Sequence, residues 1–372
     1  MVLLIISILL LFLYAVLIFF YTIYWKKAGI YHASAVRPNF ISIIVAARNE
    51  EENITPLLNA LQNQSYPGEF FEVIVVDDFS TDQTAARVQQ HPLSNLKLIR
   101  PEGQSEQSSK KKAIHTGILH ASGSLIVTTD ADCLPGENWL EVVNSFYSEK
   151  DPSFIAAPVK FEYNRSLLQR FQAIDFLTLQ GITAAGVTSG FHAMCNGANL
   201  AYKKKSFLSV NGFDGIDKVA TGDDMLLMYK IWRSEPGKVH YLKSQEAIMS
   251  TQPMQSWKKF FMQRRRWASK TLVYDDKMVI AVLFLVYLVN CFFIVLVIAA
   301  LFNSAYLWLL PGYLIIKSLI EFPFIYLVTR FYKEEKLRGY FFLFQPLHIM
   351  YTVLAGTLSQ FGKYEWKGRK TK

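Results

Sequence analysis

An α/β domain with a mainly parallel sheet, joined to transmembrane helices, is the fold class that three features of this 372-residue chain predict. Short runs rich in Val and Ile alternate with amphipathic stretches between Pro38 and Asp276, which is the pattern of buried parallel strands and crossover helices. Acidic residues gather where those runs end, at the edge where such sheets bind ligands. Long apolar segments lie on both sides of this region.

The first element is the uncharged run from Val2 to Tyr24, which exceeds the roughly 20 residues that cross a bilayer core. It reads as a membrane span and not a cleaved leader, because no basic stretch precedes it and no small-residue cleavage site follows. Lys26, Lys27 and Arg37 come next, so the positive-inside rule puts residues 1–25 across the membrane and the following domain in the cytoplasm. Strands are predicted at Phe40 to Ala47, Phe71 to Asp77, Leu96 to Arg100 and Ser124 to Asp130. Helices are predicted at Ile54 to Gln64, at Asp82 to Gln90 with a Ser80/Gln83 capping box, and at Lys111 to His120. Pro101 to Ser109 is polar and reads as a loop. Further spans are predicted at Met278 to Ala300 and Ala305 to Val328. Tyr340 to Gln360 contains Gln345, Pro346 and His348 and is expected to be re-entrant or surface-lying, with a cytoplasmic basic tail. The predicted organisation is a span at 1–25, an α/β domain at 38–276, a membrane region at 277–361 and a tail at 362–372.

The net charge of +9 resides in the juxtamembrane pieces 25–37 and 330–339 and in the tail. The soluble part is close to neutral, so the basic excess marks topology and attraction to anionic lipid, not nucleic acid. Three cysteines, Cys133, Cys195 and Cys291, lack metal-ligand spacing and fit a reducing cytoplasm.

Asp77 and Asp78 follow the second strand; Asp130 and Asp132 follow the fourth, in "TTDADC". Two carboxylates on a short turn at a strand end can hold Mg2+ or Mn2+ against a diphosphate, and the same pair in isolation also suits a solvated turn. Lys317 and Glu321 stand four apart inside a span. They share a helix face and read either as an interhelix contact or as a lipid-substrate site.

Taken in order, "SIIVAARNEEENI", "VIVVDDFSTDQT", "KKKAIHTGI", "TTDADC", "CNGANLAYKK", "TGDDMLLMYKI" and "QRRRW" resemble the motifs of glycosyltransferase family 2. The likeness is greatest to its membrane-embedded branch, which includes cellulose, hyaluronan and poly-N-acetylglucosamine synthases and ceramide glucosyltransferases. It covers roughly Phe40 to Trp267.

The resemblance implies a Rossmann-like GT-A fold, a nucleotide-sugar donor of the UDP type, and Mg2+ or Mn2+. Ala46, Arg48 and Glu50 would border the nucleotide, Asp78 would meet the base, and Lys112 would bind phosphate. Lys110 and Lys111 read as solvated neighbours, and Asp77 serves either the base or the turn. Asp130 would face the donor and Asp132 would bind the metal. Asp224 matches the family's general base; Asp223 precedes it where the family usually has Glu. Arg266 would reach the diphosphate, with Gln263 and Trp267 at the acceptor, while Arg264 and Arg265 could meet lipid headgroups. His192 reads as a neighbour of the acceptor pocket. The function implied is inverting transfer to a membrane lipid or lipid-linked acceptor at the cytoplasmic face, with a processive polysaccharide synthase as the alternative. A non-catalytic nucleotide-binding subunit is a third possibility, against which the complete set of acidic motifs and QRRRW argues.

Overall fold

A computed structural model describes residues 1–102, 109–191, 195–217, 222–269, 276–359, 364–366 and 369–371. The chain forms two compact units, an α/β unit of Ala28–Glu162 with Ala193–Gln252 and a helical unit of Met1–Lys27, Tyr163–His192 and Pro253–Lys372.

In the α/β unit, β1 (Ile41–Ala47), β2 (Phe71–Asp77), β3 (Leu96–Ile99) and β4 (Leu125–Asp130) are parallel in the order β3-β2-β1-β4. All four match predicted strands to within one residue at each end. Every residue of β2 and all but one of β1 are buried, so continuous apolar runs satisfy both faces. The sheet continues through β5 (Phe154–Ala156), β7 (Leu200–Lys203) and β8 (Val239–Tyr241) in the order β4-β7-β5-β8, with β7 antiparallel to both its neighbours. Short β6 (Val159–Phe161) and β9 (Met249–Thr251) pair in parallel separately. Glu72 ties the parallel strands together: it accepts from Ser42 Oγ at 2.7 Å, the Ser122 N–H at 2.6 Å and Lys97 Nζ at 2.6 Å.

The helix predicted from Asp82 begins later, at Thr84, without the Ser80/Gln83 box. Asp82 Oδ1 instead accepts from the Thr84 N–H at 3.0 Å, a local turn that a Ser/Gln reading misses.

Among the described residues of the helical unit, four helices are long and apolar enough to cross a membrane: Val2–Lys27, Lys277–Phe302, and those ending at Phe331 and Leu358. The last runs unbroken from Arg338 to Leu358 through Pro346. The segment expected to be re-entrant or surface-lying is thus one continuous helix of membrane-crossing length, and its Gln345 is buried and bonds to Lys317 and Glu321.

Lys317 and Glu321 are both buried and pair at 2.5 Å. Lys317 Nζ also donates to Gln345 Oε1 at 2.9 Å, Gln345 Nε2 donates to Glu321 Oε2 at 2.5 Å, and the Tyr14 hydroxyl donates to Glu321 Oε1 at 2.5 Å. This mutually satisfied clasp joins three of the apolar helices, which is how charge is tolerated among them.

The helix Leu167–Ser189, read from sequence as part of the 38–276 domain, groups with the helical unit, as does Trp257–Ser269. Gln172 on the first exchanges two hydrogen bonds with the Met254 backbone, at 2.8 and 2.9 Å, and Gly181 permits close approach. A Cβ there would meet Val328 Cγ2 at 2.5 Å.

Candidate active site

The carboxyl ends of β1, β2 and β4 meet along one edge because the strands are parallel and in register. Ala46 lies opposite Asp130 on β4 and Val76 on β2, while Ala47 lies opposite Asp77. The Arg48 side chain then turns back, its Nη1 donating to the Asp78 carbonyl at 2.8 Å, and the Asp78 N–H donates to the Ala47 carbonyl at 2.8 Å. Asn49 and Phe79 both adopt left-handed backbone where the two strands end, with φ of 53° and 57°. Glu50 Oε2 accepts from Asn53 Nδ2 at 2.7 Å, and its N–H donates to Thr84 Oγ1 at 2.8 Å. Ala46, Arg48, Glu50 and Asp78 are therefore neighbours at one strand edge.

Asp77 is bound into the turn. It accepts from Arg100 Nη2 at 2.6 Å and from the Ser80 N–H at 3.0 Å, and it is 1% exposed, which gives it a structural task.

After β4, Asp130, Asp132 and Cys133 place one oxygen or sulfur each within 4.8 Å of one another. Asp132 is exposed, Asp130 partly so, and Cys133 buried. Burial, then the charges of Asp132 and Asp130, push the Cys133 thiol well above its usual range. It stays protonated there. The two carboxylates suit a hard cation such as Mg2+ or Mn2+, so the donor set fits through its oxygens.

Lys110, at the start of the Lys110–His120 helix, extends between acids from two other segments. Its Nζ lies 2.6 Å from Asp130 Oδ1 and 2.9 Å from Asp223 Oδ2. Burial opposes its charge, but the two carboxylates outweigh burial and hold the ammonium well above the ordinary lysine range. Gly197 of the "CNGANL" stretch makes room: a Cβ there would come 3.3 Å from Lys110 Nζ and 3.4 Å from Asp223 Oδ2. Four separate motifs thus meet at one lysine.

Neither Lys110 nor Lys111 is the solvated neighbour expected from sequence. Lys111 is 3% exposed and donates to the Ile216 carbonyl at 2.6 Å. Lys112, the expected phosphate ligand, is half-buried and gives its backbone N–H to Ser109 Oγ at 3.2 Å. The lysine among the acids is Lys110, and only the Lys-Lys-Lys run hinted at it.

Asp224 is buried and caps the Met225–Ser234 helix, its Oδ1 accepting from the Met225 N–H at 2.7 Å. Gly222, two residues before it, has φ of +83°, a conformation open to glycine. His192 lies outside the described residues.

Gln263, Arg266 and Trp267 belong to the helical unit, on the Trp257–Ser269 helix. Two neighbours there differ from the headgroup contacts expected. Arg264 is buried against Asp175 at 2.7 Å, and Arg265 Nε donates to the Leu358 carbonyl at 3.1 Å.

A mostly parallel α/β sheet with a carboxylate cluster at its strand ends has the arrangement of a GT-A-like fold. Residues 42–208 match the family described as Glycosyl transferase family 2, so the chain carries a domain of that family. It is 36% identical over 126 residues to "Glycosyltransferase AglE" of Haloferax volcanii, across 33% of this chain and 40% of that protein. To the "Beta-monoglucosyldiacylglycerol synthase" of Synechocystis sp. it is 33% identical over 132 residues, across 34% of this chain and 26% of the relative. The chain spans less than half the length of these curated relatives. Among solved structures, "Mannosyltransferase PcManGT from Pyrobaculum calidifontis in complex with GDP-Man and Mn2+" superposes with a TM-score of 0.55 at 18% identity, over 96% of this chain and 99% of that one. The likeness is one of fold.

Proposed function

We propose that the protein is an inverting membrane glycosyltransferase that moves a sugar from a nucleotide-sugar of the UDP type to a lipid or lipid-linked acceptor at the cytoplasmic membrane face. The observation that carries this function is the Asp130–Lys110–Asp223 bridge, which draws one strand-end acid and the first acid of the pair ahead of the Met225–Ser234 helix to one lysine. Four helices of membrane-crossing length and a relative named for glycolipid synthesis support a lipid acceptor.

Ala46, Arg48 and Glu50 would flank the nucleotide, and Asp78 would receive the base. Asp130 and Asp132 would hold Mg2+ or Mn2+, which when bound supplies positive charge to the departing diphosphate. Lys110 and Lys112 would add cationic charge, stabilising charge where it develops, and Arg266 keeps the diphosphate role that the family resemblance gives it. Asp224 would take the proton from the acceptor hydroxyl as that oxygen displaces the diphosphate at the anomeric carbon, inverting it. Its cap bond to Met225 fixes the carboxylate's orientation. Asp223 would steer the acceptor through its contact with Lys110, and Gln263 and Trp267 would bind the acceptor.

The test is full-length protein in nanodiscs containing diacylglycerol or polyprenyl phosphate. UDP-glucose, UDP-N-acetylglucosamine and GDP-mannose are supplied in turn with Mg2+ or Mn2+, and products are identified by mass spectrometry. A glycosylated lipid of inverted configuration is expected. Nucleotide hydrolysis without any lipid product would sink the acceptor assignment, and no nucleotide binding at all would sink the whole function.

A further inference from the structure

QRRRW holds two residues that the proposed chemistry leaves without a task, Arg264 and Arg265, and of these Arg264 is the buried one. Arg264 is 4% exposed, and its Nη2 donates to Asp175 Oδ2 on the Leu167–Ser189 helix, at 2.7 Å. Its guanidinium carbon lies over two rings of its own helix, 4.2 Å from the Trp267 centroid and 4.9 Å from that of Phe260. Phe260, Arg264 and Trp267 fall at helical spacings of four and three, so one face carries all three.

This face is held from outside. The second oxygen of Asp175 accepts from the Tyr351 hydroxyl on the Arg338–Leu358 helix, and His348 Nε2 of that helix lies 3.8 Å from it. Phe260 is fully buried and meets the Tyr351 ring edge-on at 5.4 Å. Trp267 itself stays half-buried, 6.1 Å from the Phe176 ring. One carboxylate thus links the guanidinium to two further helices, and the guanidinium backs the indole.

Burying a cation on a single carboxylate costs more than filling the same volume with an apolar side chain. A planar cation adds what an apolar one cannot: a flat, charged surface that stacks on an indole while its edge is fixed by a carboxylate. We propose that Arg264 is a positioning residue for Trp267, with Asp175 and Tyr351 setting the plane of the guanidinium and so the angle at which the indole is presented to the acceptor sugar or headgroup. The proposal rests on Trp267 being the acceptor platform.

The experiment uses full-length protein in the nanodiscs above, with whichever of the named donors and lipids turns over. Tryptophans are replaced by 5-fluorotryptophan, and the Trp267 resonance is assigned with Trp267→Phe. Arg264→Lys keeps a cation for Asp175 and removes the stacked plane. The acceptor KM is expected to rise about tenfold, the size of a partly desolvated cation–π contact. Donor affinity is expected to hold and the Trp267 fluorine signal to move. A merely structural arginine would be rescued by lysine in every readout. Should Arg264→Lys fail to fold, the neutral pair Asp175→Asn/Arg264→Gln is read the same way. Unchanged acceptor KM and an unmoved Trp267 signal would overturn the proposal. Trp267→Ala separates the two layers: if it leaves the acceptor KM unchanged, the platform role falls; if it raises KM while Arg264→Lys does not, only the positioning role falls.

Discussion

Lys110 and Asp223 form a 2.9 Å ion pair whose ammonium also reaches Asp130 at 2.6 Å, so one lysine is shared by acids that the chain keeps far apart. A divalent cation held by Asp130 must compete with that ammonium. Lys110→Met is therefore expected to tighten Mn2+ binding about tenfold in the absence of nucleotide, a fraction of the Coulomb energy of such a pair given its partial exposure. Electron paramagnetic resonance titration of free Mn2+ measures this. Unchanged or weaker binding would show that the lysine and the ion do not share Asp130.

Asp132 is the exposed member of the strand-end pair. Asp132→Ala should weaken UDP binding when Mg2+ or Mn2+ is present and leave it unaltered in EDTA, as calorimetry would show. Wild-type transfer should stop in EDTA and return with either metal. Full activity in chelator would contradict metal assistance.

Asp224→Asn is a clean test of the base because asparagine caps a helix as well as aspartate does. The Met225–Ser234 helix should persist, UDP affinity should hold, and transfer should fall by at least about a hundredfold, the scale of lost general-base catalysis. Substantial turnover would remove Asp224 from the role.

Glu72 should make the α/β unit acid-sensitive. Burial alone would raise its carboxyl pKa, but the hydrogen bond from Lys97 and those from Ser122 and Ser42 outweigh it and hold the group below the usual carboxylate range. A depressed folded value contributes stability above the unfolded pKa, near 4.3, and loses it as pH falls through the folded one. Glu72→Gln should cost about 1–2 kcal/mol at pH 7, with the difference from wild type narrowing toward pH 3 in denaturant titrations.

In the helical unit, Lys317→Met strands the buried Glu321 beside Tyr14 and Gln345. Its loss should be about 3–5 kcal/mol, the cost of breaking a buried pair. Lys317→Met/Glu321→Gln should regain most of it, as thermal unfolding in detergent would record. Equal losses in the single and double variants would argue that the clasp is not an ion pair in energetic terms.

β1, β2 and β4 were legible because strands buried on both faces read as nearly continuous apolar runs, and β3, part-exposed with Lys97 in its middle, was legible from its short apolar alternation. β5, β6, β8 and β9 were not, since three residues carry no period. Nor was β7, whose "LAYK" is too short to announce an antiparallel insertion beside β4. The acids at the strand ends were found by position. The Lys110 bridge was missed, because a run of three lysines does not say which one reaches the acids. Arg264 was read as a lipid contact because its partner, Asp175, lies in a distant helix whose buried glutamines resemble a solvated face.

The clasp also sets an order of events in synthesis. The Tyr14 hydroxyl finds its acceptor on Glu321, 307 residues later. At ordinary elongation rates of 5–20 residues per second, about 15–60 s separate the making of the two. Throughout that interval the first helix lacks the partner that completes its polar contact, while both segments of the α/β unit emerge before Glu321. A nascent chain arrested short of Glu321 would hold Tyr14 without its acceptor, in the form most open to quality-control factors that scan for unpaired polar groups among apolar helices.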